Sequence, residues 1–185
     1  MLLALSGVTG IGKSYFKEKL VEELSFHKVS TIRTRPIRIG EKNGIDGIFI
    51  TDDELDALKS QGKIIYDFNV FGGRYAYLKN EIFSSDNMVF EMHYTMIDDW
   101  KRIKPDIKTI YILPTDLEIP KQKTKQRNLS KEKEIERIKE IDVQYNKFMS
   151  DKNFQSKFDY ILYNNYDSKS EKQILNLAKS LIVNE

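Results

Sequence analysis

One octapeptide restricts this chain more than any other feature. Gly7-Val8-Thr9-Gly10-Ile11-Gly12-Lys13-Ser14 fills the pattern G-x-x-x-x-G-K-[ST] at every defined position. An apolar run at residues 2–5 precedes it. Phe16, Leu20, Val21 and Leu24 follow at i, i+4, i+5 and i+8. The run reads as a buried parallel strand, and the spacing predicts a helix over 13–24. Glycines let a backbone bend until successive N–H groups point into one cavity, and the helix start adds the positive end of its dipole. Such a loop is a cradle for phosphate. Gly7, Val8, Thr9, Gly10, Ile11, Gly12, Lys13 and Ser14 are therefore candidate ligands of a nucleoside triphosphate. Lys13 would reach the β- and γ-phosphates and Ser14 would offer its hydroxyl to Mg²⁺.

The rest of the chain repeats the strand–helix alternation. Strands are expected at 29–31, 88–92, 109–113 (stopped by Pro114) and 160–163. A short helix over 52–58 is capped by Thr51 or Asp52. A longer one over 132–149 carries Ile135, Ile138, Ile141, Tyr145 and Phe148 on one face. A last helix over 171–182 turns Ile174, Leu177, Ala178 and Leu181 inward, with Leu175 and Ile182 widening the stripe. This pattern predicts an α/β fold with a parallel sheet covered on both faces. Between 33 and 83 the character changes to basic residues, glycines and short alternating runs, as in an inserted sheet-rich lobe. Residues 120–134 are so polar that they are expected not to pack as core, and 150–157 read as a polar link.

Composition sets bounds. The 185 residues hold 30 Lys+Arg against 28 Asp+Glu, a net charge of +2, which gives no general nucleic-acid footprint. No run approaches the roughly 18 apolar residues of a membrane span, so no membrane association is expected. The opening run is too short for a secretory signal. There is no cysteine, which excludes disulfides, thiolate zinc sites and cysteine nucleophiles and fits a reducing compartment. A cytoplasmic location is expected.

Residues 31–49, Thr-Ile-Arg-Thr-Arg-Pro-Ile-Arg-Ile-Gly-Glu-Lys-Asn-Gly-Ile-Asp-Gly-Ile-Phe, place three arginines within six positions ahead of Gly-Glu and Gly-Ile-Asp. Arginine's planar fork suits phosphate oxygens; a solvated basic strand is the other reading. This stretch resembles the guanylate kinase family, whose pattern is T-T-R-x-x-R-x-G-E-x-x-G-x-D-Y-x-F. The resemblance continues in Gly72-Gly73-Arg74-Tyr75-Ala76, Ile112-Leu113-Pro114, the pair Arg127 and Arg137, and residues 158–165, Phe-Asp-Tyr-Ile-Leu-Tyr-Asn-Asn.

The resemblance implies a P-loop NTPase three-layer α/β/α core with an inserted lobe for the nucleoside monophosphate and a mobile lid. In a single domain over 1–185, the core would take 1–32, 86–114 and 137–185, the lobe about 33–85 and the lid about 115–136. It implies transfer of a phosphoryl group from ATP to GMP or dGMP with Mg²⁺, by a monomer or homodimer. Arg35, Arg38 and Tyr75 match residues that hold the acceptor phosphate, and Thr31 a residue facing the guanine. Arg127 matches the lid arginine, aided by Lys123 or Lys125. Arg137 matches the arginine that bridges both phosphates, and Asn164 the asparagine beside the adenine.

Departures accompany these matches. The family tyrosine of G-x-D-Y is Gly47 here. The glutamate that reads guanine falls at Tyr66, next to Asp67, and a small hydroxyl residue falls at Tyr77. The two family aspartates at the end of the central strand are Glu91 and His93. Glu91 can still serve Mg²⁺, whereas His93 cannot accept two donors as a carboxylate does. Three alternatives follow: a related kinase for another phosphorylated nucleotide or sugar, a non-catalytic binding module, and a regulatory GTPase. Residues 164–167, Asn-Asn-Tyr-Asp, do not supply the N-K-x-D motif that the last would need.

Overall fold

The computed structural model describes residues 1–38, 40–70, 73–127 and 129–183. Ile39 and Gly72, which lie in stretches that carry the family resemblance, are outside the described residues. The chain divides into two compact units, Met1–Phe26 with Val89–Glu185, and His27–Met88. Residues 115–136 cluster with the first unit.

The first unit contains β1 (Leu2–Gly7), α1 (Lys13–Leu24), and further along the chain β7 (Met88–Glu91, all but its first residue), α4 (Ile97–Ile103), β8 (Lys108–Pro114), α5 (Glu118–Lys125), α6 (Lys131–Ser150), α7 (Lys152–Gln155), β9 (Tyr160–Asn164) and α8 (Ser168–Val183). Its sheet runs β7-β1-β8-β9, with β8 parallel to both β1 and β9. Successive strand residues face opposite sides. Leu3, Leu5, Val89, Ile110 and Ile112 join Phe16 and Leu20 of α1 and Ile174, Ala178 and Leu181 of α8 in one core. On the other side Phe90 meets Trp100, and Tyr111 stacks on Phe148 at 3.8 Å with Phe154 and Phe158 edge-on or tilted. Both faces are covered, which is why β1 and most of β8 read as unbroken apolar runs. Tyr111 is tolerated in this core because its hydroxyl accepts from Gln144 Nε2 at 3.1 Å.

The second unit contains β2 (His27–Lys28), β3 (Thr31–Arg33), β4 (Ile48–Phe49), α2 (Asp52–Ser60), β5 (Ile64–Val70), β6 (Gly73–Leu78) and α3 (Lys79–Ile82). Its sheet runs β4-β3-β6-β5, with β6 antiparallel to both neighbours. One face packs on α2: Ile32, Leu55 and Ala76 are buried, with Ile48, Ile50, Leu58, Ile64 and Leu78 around them. Thr51 caps α2 in a full capping box with Glu54. The register of β5 against β6 shifts between Ile64 and Tyr66. That bulge moves Tyr66 and Phe68 to the face away from α2, where the Phe68 ring lies 5.6 Å from Tyr66, 5.7 Å from Tyr75 and 6.1 Å from Tyr77.

Several sequence expectations need correction. Residues 120–134 are not uniformly excluded from packing: α5 forms, and Pro120 and Thr124 are buried. Pro120 stands in the first turn, where its missing N–H costs nothing, and the Thr124 hydroxyl donates to Pro120 O at 2.8 Å. The supposed link at 150–157 holds α7, capped by Asp151, with Phe154 buried. Of the strand expected at 29–31 only Thr31 lies in a strand, as the first residue of β3; β2 ends before it, at Lys28. The inward stripe of α6 begins a turn late, since Ile135 is 59% exposed.

Candidate active site

β1 delivers the chain into the glycine loop and α1 leaves it, so the loop sits between a buried strand end and a helix start. Gly12 holds φ +96° and Gly10 φ +81°, conformations that L side chains avoid. A Cβ at Gly10 would also lie 2.6 Å from Pro120 O of α5. The loop therefore requires glycine here for both backbone shape and space. Lys13 Nζ reaches across the loop and donates to Gly7 O at 2.8 Å and Val8 O at 3.0 Å. Burial lowers its pKa to about 8; Glu91 opposes the shift, while Arg127 and Arg137 reinforce it.

Glu91, at the end of β7, accepts from Lys17 at 2.8 Å and from the Ser14 hydroxyl. Burial pushes its pKa up, but the Lys17 and Lys13 ammoniums outweigh that and hold it low. Ser14 and Glu91 thus place two hard oxygens side by side. No cluster of three or more His, Cys, Asp or Glu that could hold a metal exists among the described residues. A pair of protein oxygens completed by phosphate oxygens is the donor set that suits Mg²⁺.

His93 Nδ1 lies 2.7 Å from Thr95 Oγ1, and its Nε2 is 3.7 Å from Glu140 Oε1. Glu140 Oε2 accepts from Arg137 at 2.7 Å. The His93 contact, then Arg137, hold Glu140 down at about 2 against its burial. Asn164 is buried: its Nδ2 donates to Ile11 O at 2.7 Å and its Oδ1 accepts from Tyr166 N at 2.7 Å. Both ends of its amide grip backbone.

The second unit gathers the other candidates. Arg35, 7% exposed, donates twice to Glu41, at 2.7 and 2.6 Å, and from Nε to the Tyr75 hydroxyl at 2.9 Å. Arg35 in turn holds Glu41 down at about 2. Arg33 joins them, 3.6 Å from Glu41 and donating to Asp46 O at 2.6 Å, and its Nε is buried with no hydrogen-bond partner among the described residues. A Cβ at Gly47 would lie 2.8 Å from Thr31 O and 3.0 Å from Arg33. A side chain at position 47 would therefore meet the Thr31 carbonyl and the Arg33 guanidinium. Arg38 is exposed; its backbone N–H donates to Glu41 at 2.9 Å. Thr31 pairs with Tyr77 across β3 and β6, on the aromatic face with Tyr66 and Tyr75. Asp67 lies on the opposite face, bound to Lys59 of α2 at 2.8 Å and 3.6 Å from Arg74.

A family model described as guanylate kinase matches residues 1–181. The chain belongs to the guanylate kinase family. It is 27% identical over 183 aligned positions to the guanylate kinase of Wolbachia pipientis wMel, covering 94% of this chain and 87% of that protein. It is 25% identical to that of Legionella pneumophila (strain Lens), covering 99% and 86%. The crystal structure of guanylate kinase from Anaplasma phagocytophilum superposes with a TM-score of 0.69 at 22% identity, over all of this chain and 85% of that one. The P-loop α/β fold is therefore established, and this guanylate kinase-family chain is a nucleoside-monophosphate kinase. No helix among the described residues is long and apolar enough to cross a membrane.

Sequence reading passed over Arg33, Glu41, Lys17 and Glu140. Arg33 stood within the arginine cluster and Glu41 within Gly-Glu, so those two signals were present. Lys17 and Glu140 become visible only through partners 74 residues away and in another element.

Proposed function

We propose that the chain transfers the γ-phosphoryl of ATP to a nucleoside monophosphate, with GMP or dGMP the leading acceptor. One observation carries this reading: an intact phosphate loop whose lysine lies in the field of Arg127, Arg137 and Glu91. The loop amides and Lys13 bind the donor phosphates. Ser14 and Glu91 would hold Mg²⁺, which would supply positive charge against the donor phosphates when bound. Arg35, Arg38 and Tyr75 bind the acceptor phosphate, with Arg33 joined to Arg35 through Glu41. The bond from the γ-phosphorus to its bridging oxygen breaks as an acceptor oxygen attacks in line. The acceptor is already an anion, so no general base is required. Arg127, in the lid proposed at 115–136, and Arg137 stabilise the charge on the transferring group. A cysteine-free chain suits work in a reducing cytoplasm.

A second acceptor class is favoured by Asp67. Its carboxylate bonds to Lys59 on the α2 face, which supports a base site that lacks the family's carboxylate. A base site made of tyrosines and Thr31 reads guanine less strictly than one with a carboxylate. Coupled ADP release measured with GMP, dGMP, AMP, CMP, UMP and dTMP in parallel tests both readings. Preference for GMP and dGMP supports the first; comparable rates with several bases support the second; no release with any acceptor sinks both.

A further inference from the structure

Tyr166 stands two residues beyond β9 with φ +57°, a left-handed conformation that bulky side chains rarely adopt. Its contacts hold the side chain in that conformation. The backbone N–H donates to Asn164 Oδ1, and the hydroxyl donates to Gly10 O at 3.1 Å. The Lys123 ammonium of α5 sits 5.0 Å from the ring centroid. Gly10 is itself pressed against Pro120 of α5. One side chain thus touches both the crest of the phosphate loop and the helix that backs it.

The geometry of a planar peptide gives this contact a consequence. A C=O and the N–H of the same peptide point in opposite directions. Tyr166 ties back the carbonyl of the Gly10–Ile11 peptide, whose N–H closes the turn onto Val8 O at 3.3 Å. Asn164 ties back the carbonyl of the next peptide, Ile11–Gly12, so the Gly12 N–H is aimed the other way. Two consecutive loop peptides are therefore oriented by donors more than 150 residues away in sequence.

We propose that Tyr166 is a positioning residue of the phosphate loop, fixing the Gly10–Ile11 peptide and registering it with α5 through Lys123. The consequence for donor binding rests on the proposed function, since it takes the loop to hold a nucleotide. The consequence for the loop itself does not.

The test is Tyr166→Phe, which removes only the hydroxyl and keeps the ring and its cation contact. Calorimetry with Mg·ADP and amide hydrogen exchange are read on the same samples, followed by steady-state kinetics. The expected result is a Kd for Mg·ADP weaker by up to about fivefold, the ceiling reached when loss of one net hydrogen bond shifts the free loop away from its binding shape. Exchange should quicken at residues 9–12 with β8 and α8 unchanged, and the KM for the nucleoside monophosphate should not move. Unchanged loop exchange overturns the proposal, whether or not affinity falls, because the hydroxyl would then not act through the loop. Exchange quickened throughout the first unit also overturns it, as the mark of a merely structural residue. If the unaltered protein binds no Mg·ADP, the nucleotide reading fails, while the exchange pattern still decides whether Tyr166 fixes the loop.

Discussion

Raising the pH from 7 to 9 should weaken nucleotide binding by about tenfold through one side chain. Lys13 is the loop's cation, and burial lowers its pKa to about 8. At one unit below that value about nine-tenths of the lysine is charged; at one unit above, about one-tenth is. A bound polyphosphate selects the charged form, so the apparent Kd follows the lost fraction. That is about 1.4 kcal/mol between the two pH values. The sign for folding is opposite. A lysine whose folded pKa lies below its unfolded value of 10.5 burdens the native state while charged. That burden is fully present below pH 8 and is relieved as the pH rises from about 8 to 10.5. The protein should therefore bind nucleotide less well in the range where this group ceases to oppose folding. Isothermal titration with Mg·ADP at pH 7, 8 and 9 measures the effect, and buffers of different ionisation enthalpy count the proton taken up. The chain has no cysteine to titrate in this window. A Kd constant within twofold, with no proton uptake, would refute the argument that burial has depressed Lys13.

Other perturbations separate structural from chemical roles. Glu41→Gln should destabilise the second unit by about 2–4 kcal/mol in urea unfolding, because the buried Arg35 keeps its charge and loses its bidentate partner. In the unaltered protein that contribution is present above pH 4.5 and fades as the pH falls towards about 2, since the folded pKa is the lower one. Asp67→Asn should leave the acceptor KM within twofold and cost at most about 1 kcal/mol of stability, the value of a partly exposed ion pair. Arg137→Ala should lower kcat by about 10²–10³-fold with little change in melting temperature, the scale of removing one donor to transition-state charge.

Local features were the legible ones. The phosphate loop could be read because all eight positions are contiguous and their chemistry is backbone chemistry. The core strands could be read because burial on both faces leaves unbroken apolar runs. What stayed hidden depended on distant partners or on a change of phase. The bulge between Ile64 and Tyr66 decides which face Asp67 takes, and strand alternation alone cannot reveal it. The crowding of Gly47 by the Thr31 carbonyl and the Arg33 guanidinium has no signal in the sequence. α5 was hidden because Pro120 and Thr124 are buried without an apolar periodicity. Tyr166 had no motif at all; its meaning lies in a carbonyl 156 residues earlier.

The central claim is phosphoryl transfer between two small-molecule phosphates. The most direct measurement is the stoichiometry of products from Mg·ATP and GMP, resolved by ³¹P NMR or anion-exchange chromatography. One GDP should appear for each ADP, with negligible ADP when the acceptor is omitted and neither product from Lys13→Ala. ADP accompanied by free phosphate and no phosphorylated acceptor would contradict the account.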